Sequence, residues 1–301
     1  MRSWNISRER CCLPDSSPAA TGLETGAAPR SRLEISFAIG ADGATQLTHQ
    51  FAGYPFHLCR PFRLEGDPAG MLTLYLQSCS GGIYEGDRLS TFIQIGEGAA
   101  AHVTTQAATI AYGMREAGAH HRALLQVATG SLLEYIPDPV ILFPRTRLDS
   151  RLIISAEPAS RVIAAEAFLL HDPLAQARPF AALASLLQVE EARTGRLLFR
   201  DRIDITGEAW LTRNPGVTGT AAGMATMIML GSHIDAVLEP LRARVEAASG
   251  LWAGASLLPD GVGAVCRILA QDSRGLRAGI SAAWHAARMH WTGAEPAQRR
   301  K

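Results

Sequence analysis

The chain has 301 residues, 47% hydrophobic and 19% charged, which is enough apolar material for one large β domain or two ordinary ones and excludes global disorder. Net charge is +1 and Lys301 is the only lysine, so the sequence shows no basic run and no nucleic-acid partner is expected. Cys11, Cys12, Cys59, Cys79 and Cys266 are odd in number and lack CxxC spacing, which argues against a zinc ribbon or a disulfide framework and fits a reducing, cytoplasmic setting.

Residues 1–30 are rich in Ser, Pro, Gly and Ala without a period and read as a flexible tail. No apolar segment follows Arg2, Arg8 and Arg10, so no secretory signal is expected. A β scaffold is expected over 31–231. Leu33, Ile35, Phe37 and Ile39 alternate, Asp42-Gly43 turns the chain, and 45–51 returns as a hairpin partner. Strand patterns then recur at 72–77, 88–95, 99–106, 121–127, 131–136, 139–143, 147–154, 161–170, 182–190 and 196–205. Gly96-Glu97-Gly98, Gly118, Gly130 and Gly195 mark turns between them. So many short strands predict a mainly β fold, a two-sheet or solenoid-like stack, although no strict sequence repeat is visible.

From Arg213 to Asp235 no charged residue intervenes, yet Asn214, Pro215 and four glycines break the run. This stretch reads as a loop and a buried strand at 224–230, and no membrane span is expected. Residues 232–301 read as a helix-strand-strand-helix portion packed on the scaffold. Ser232 is the expected N-cap, with Asp235 three residues on, and Ile234, Val237, Leu238, Leu241 and Val245 follow at helical spacing around Pro240. Strands at 251–258 and 262–269 flank Pro259-Asp260-Gly261, and a last helix covers 272–290.

The chemistry is sparse. Ser80 to Asp87 is a glycine-shaped turn holding Glu85 and Asp87, which could act as acid and base or bind a hard cation. The residues alone favour a plainer reading, in which Asp87 caps the turn and Glu85 is solvated. His120 and His121 point to opposite faces of a strand and the other histidines are scattered. Cys266 alternates with apolar neighbours and reads as core. Thr104-Thr105-Gln106 ends a strand as either a binding edge or a turn. Glu134 and Glu166 each interrupt an apolar strand, so each either faces outward or lines a polar interior. No catalytic constellation emerges.

Several stretches in fixed order carry a resemblance. They are Arg60-Pro61-Phe62, Leu74-Tyr75-Leu76, Gly81-Gly82-Ile83 with Gly86-Asp87, Thr104-Thr105-Gln106 and Tyr112. Gly130 to Pro137 with Phe143, Glu166, Leu251 with Ala253 to Leu257, and Cys266-Arg267-Ile268-Leu269 continue the series. Together they resemble the urease accessory protein family UreD, also called UreH, over roughly 33–292. The resemblance implies a β-helix-like strand stack with two C-terminal α-helices and no catalysis by this chain. It implies a scaffold that works with UreF, the GTPase UreG and the urease apoprotein, with a homodimer inside that complex as a further expectation. No cofactor is expected to bind tightly; nickel would pass in transit through an internal, water-filled passage. Asp87 and Glu166 are the implied passage carboxylates, and Gly81, Gly82, Gly86, Thr105, Gln106, Glu134 and Pro137 are motif positions. Glu85 stands where the family has glycine, Ile110 where it has lysine, and Asp138-Pro139 and His171-Asp172 also depart from its pattern. The alternatives are a divergent β scaffold of another maturation or transport system without a nickel role, and a metal-dependent hydrolase using Glu85 and Asp87.

Overall fold

Alternating apolar residues fold the chain into two face-to-face sheets in this computed structural model, which describes residues 31–299. The tail expected at 1–30, with Cys11 and Cys12, lies outside the described residues. In chain order the elements are β1 (Ser31–Ile39), β2 (Thr45–Ala52), β3 (Phe56–Leu58), β4 (Leu72–Ser78), β5 (Arg88–Ile95), β6 (Ala100–Thr105) and β7 (Thr109–Ala111). β8 (Ala119–Val127), β9 (Leu132–Tyr135), β10 (Val140–Leu142), β11 (Arg147–Ala156), β12 (Arg161–Leu170), β13 (Ala182–Glu191) and β14 (Leu197–Ile205) follow. The last third holds α1 (Gly207–Leu211), β15 (Gly223–Leu230), α2 (Asp235–Glu246), β16 (Leu251–Leu257), β17 (Gly263–Ala270) and α3 (Ser273–Thr292).

One sheet has the order β14-β13-β11-β8-β5-β1-β2 and the other runs β16-β17-β15-β12-β9-β6-β4-β3. Consecutive strands alternate between them: β4 to β5, β6 to β8, β9 to β11, β12 to β13. Within each sheet these strands pair in parallel. The chain is therefore a flattened β-solenoid, and antiparallel strands close its ends at β2, β3, β14 and β15. A short third side is built from Ile83, β7, β10 and the end of β12, again in parallel.

The coils repeat in their turns although the sequence does not. Ala99 N, Ser131 N and Ser160 N donate to Gly96 O, Ala128 O and Glu157 O at 3.2, 3.3 and 3.2 Å. The third residue of each turn is left-handed: Gly98 at φ 69°, Gly130 at 70° and Ala159 at 60°. Two of the three are glycines and the third is alanine, which hides the repeat. Inside, Leu74, Val103, Leu133 and Ala164 of one sheet meet Ile93, Leu125, Ile154 and Val189 of the other. Each large aliphatic side chain so buried contributes roughly 1.5–3 kcal/mol, which makes this interface the main source of stability.

α2 and α3 cover the outer face of the β16–β3 sheet through Val237, Leu241, Leu276, Ile280 and Ala283. β15 lies between β12 and β17 with every residue buried, which explains the uncharged run without a membrane. Among the described residues no helix is long and apolar enough to cross one.

The expected Ser232 cap is wrong. α2 starts at Asp235 behind Ile234, whose side chain makes no capping bond. His233 is left-handed at φ 55°, so the chain is still turning where the cap was placed. By contrast Asp272 caps α3 through Gly275 N at 2.8 Å, and Gly293 ends it at φ 68°. α1 was not anticipated; Thr206 caps it, and Trp210 anchors it by donating to Ala221 O at 2.8 Å.

Candidate functional site

Inward alternation on β12 places Glu166 between the sheets, on the wall of a cavity of about 370 Å3. Thr91, His121 and Ser150 line it from one sheet, Tyr135 and Phe168 from the other. The lining passes outward to Cys79, Gly81 and Gln106, which are exposed, so the cavity opens to the surface beside the glycine turn. Of the motif positions, the structure brings Gly81, Gly82, Thr105, Gln106, Pro137 and Glu166 to this one cavity. Gly86, Asp87 and Glu134 are not among its lining residues.

Glu166 is held by two hydroxyls from the facing sheet: Ser150 Oγ donates at 2.5 Å and Ser185 Oγ at 2.6 Å. Burial pushes its carboxyl up to about 7, against those hydrogen bonds, with Asp201 and Asp149 adding to the rise. Burial alone holds His121 down to about 4, so it faces the cavity as a neutral imidazole. Beyond Glu166 a polar file continues through Thr226 and Arg267, its register partners across β15 and β17. Asp201 joins that file, accepting from Arg267 Nη2 at 2.5 Å.

The two carboxylates of the glycine turn do different work. Asp87 Oδ2 accepts from Tyr84 N at 2.8 Å and so closes the turn. Glu85 is exposed, as expected, but it is also tied down: its oxygens accept from Arg115 N, Glu116 N and Ala117 N at 3.1, 2.7 and 2.8 Å. Those bonds, led by the one from Glu116, lower its pKa. Glu85 thereby ties the turn of one coil to the loop of the next. Gly82 has a separate reason to be glycine: a Cβ there would lie 2.3 Å from Ile110 O and 2.7 Å from the Tyr112 ring. Tyr112 stacks on Tyr84 with ring centroids 4.9 Å apart.

Glu134 faces outward from the solenoid, one of the two orientations expected, but there it is buried under α3. Arg288 of α3 is fully buried and donates from Nε and Nη2 to Glu134, and from Nη1 to Asp67 at 2.9 Å. Arg299 adds a bond to Asp67 at 2.7 Å, and His102 Nδ1 lies 2.8 Å from Glu134. Burial pushes Glu134 up, but Arg288 and His102 outweigh it and hold the carboxyl at about 2. This is an ion-pair lock between helix and solenoid, not a cavity. The sequence could not show it, because Glu134 and Arg288 are 154 residues apart.

Among the described residues no three His, Cys, Asp or Glu side chains converge on a metal position. On the cavity wall Glu166 and His121 therefore stand as separate donors, with Asp138 and Cys79 also among the lining residues.

The family profile described as UreD urease accessory protein matches residues 29–301. Urease accessory protein UreD 1 of Pseudomonas syringae pv. syringae is 38% identical over 270 residues, covering 89% of this chain and 94% of the relative. Urease accessory protein UreD 1 of Methylorubrum populi is 37% identical over 290 residues, covering 96% and 98%. A more distant relative, urease accessory protein UreD of Natronomonas pharaonis, is 31% identical over 271 residues, covering 89% and 90%. With a match across the whole solenoid and its helices, the chain belongs to the UreD urease accessory protein family.

Proposed function

We propose that this chain is a non-catalytic scaffold of urease maturation that helps nickel reach apo-urease, in a complex with UreF and the GTPase UreG. The observation that carries the proposal is the family match over 29–301. The geometry agrees with it in one respect: Glu166 sits on a cavity that opens at the family's glycine motif.

In this reading the cavity is part of the nickel passage. Glu166, with a pKa of about 7, is only partly ionised at neutral pH. A cation would meet a carboxylate that releases it readily, while Ser150 and Ser185 keep the oxygens oriented. Asp87, the other carboxylate implied by the resemblance, acts by shaping the turn at the mouth.

Co-expression of urease with its other accessory proteins, with and without this chain, tests the function. Urease activity should depend on the chain, and equal activity in both cultures would refute the proposal.

A further inference from the structure

The cavity, the ion-pair lock and the glycine turn all lie away from the outer face of the β14–β2 sheet. α2 and α3 both pack on the opposite sheet, so no described helix covers this face.

Strand register puts a row of arginines across it. Arg202 on β14 stands next to Leu186, then Arg151, Arg122, Ser90 and Arg32 on successive strands. The neighbouring row, two residues along each strand, begins at Arg200 and Gln188. It continues through Ile153, which is buried, and Leu124 and Phe92, which are half-buried, an apolar stripe lying beside the charged one. Phe51, 45% exposed on β2, lies at its far end.

The carboxylates on this face are largely spoken for. Glu34 pairs with Arg32 at 3.1 Å, Asp149 with Arg151 at 3.0 Å and Asp204 with Arg202 at 2.6 Å. Arg122 and Arg200 are exposed, and neither has a carboxylate partner among the described residues. Arg88 and Arg147, at the start of β5 and β11, add to the surplus. The face is thus markedly more positive than the chain, whose net charge is +1.

We propose that this face docks a partner protein whose surface carries carboxylates around an apolar patch. Arginine beside aliphatic and aromatic groups is the composition of protein interfaces, and the surplus of positive charge sets the sign of the partner. A second copy of the chain would bring like charges together. A nucleic acid or an anionic membrane would find three of the four row arginines already neutralised and an apolar stripe beside them. The proposal rests on the maturation reading, because the partner is sought among urease and its accessory proteins.

The test uses the full chain and the double variant R122E/R200E, both positions being exposed and outside the ion pairs that brace the face. Purified apo-urease and each accessory protein are titrated separately onto each form, at low and high salt, with thermal unfolding as the fold control. One component should bind the wild type in a salt-sensitive way and bind the variant more weakly, by on the order of tenfold or more. Equal affinity of a folded variant for every component that binds the wild type overturns this docking face and leaves the maturation reading intact. Binding of no component to the wild type overturns both. A charge-dependent loss seen only with duplex DNA, anionic vesicles or self-association also overturns the proposal.

Discussion

Replacing Glu166 by glutamine separates the charge of the cavity wall from its shape. The side chain keeps its length and an oxygen for the serine hydroxyls, and it can no longer ionise. The native carboxyl is raised from an ordinary 4.5 to about 7, chiefly by burial. At about 1.4 kcal/mol for each factor of ten in acidity, the folded state gives up about 3 kcal/mol when Glu166 ionises. Solvent access through the open mouth of the cavity makes this an upper limit. The sign follows from linkage: below pH 4.5 the group is protonated folded or unfolded and contributes nothing. Between 4.5 and 7 the folded protein binds the extra proton, so stability falls as pH rises, and above 7 the loss is complete. E166Q should therefore lie within about 1 kcal/mol of the wild type at pH 5 and be more stable at pH 8, by up to about 3 kcal/mol. Urea unfolding at both pH values measures this, and comparing the two proteins cancels the contributions of other titrating groups. An equal difference at pH 5 and pH 8 would show that Glu166 titrates as a solvated carboxylate and that the cavity is not the low-dielectric site described.

Other perturbations probe the frame. Arg288→Met leaves buried Glu134 with only His102 and Asp67 with Arg299, and should cost about 3–5 kcal/mol, read as a lower denaturation midpoint; an unchanged midpoint would refute the lock. Gly130→Ala meets nothing closer than 3.9 Å, so it should cost only the left-handed backbone penalty of about 1–2 kcal/mol. Gly82→Ala forces a Cβ against Ile110 O and should be clearly worse in the same unfolding assay. Asp87→Asn keeps an acceptor for Tyr84 N and should preserve urease activation, while Asp87→Ala should reduce it; loss in both would mean that the charge itself is needed. His102 and His121 are each held by burial to about 4, so wild-type stability should fall as pH drops from 6.5 toward 4, and His121→Asn should flatten that limb.

How much of this could be read in advance depended on distance along the chain. Period-two alternation delimits most strands closely, as at 88–95, where Leu89, Thr91, Ile93 and Ile95 turn inward. β3, β7 and α1, at three to five residues, are too short to show a period. The solenoid repeat resides in backbone geometry, where Ala159 does what Gly98 and Gly130 do. Alternation could not decide which way Glu134 and Glu166 face, because their sheet is covered on both sides, by α3 and by the facing sheet. The parity of β9 and β12 sends Glu134 toward Arg288 and Glu166 toward Ser150 and Ser185. The arginine row is invisible in sequence for a related reason: its members are brought together only by strand register.

The most direct test of the account is the nickel content of urease matured with E166Q in place of the wild-type chain. Because this variant should be the more stable protein at neutral pH, a loss of delivery cannot be ascribed to unfolding. Urease matured with E166Q should carry markedly less nickel per active site, and wild-type nickel content would contradict a passage role for Glu166.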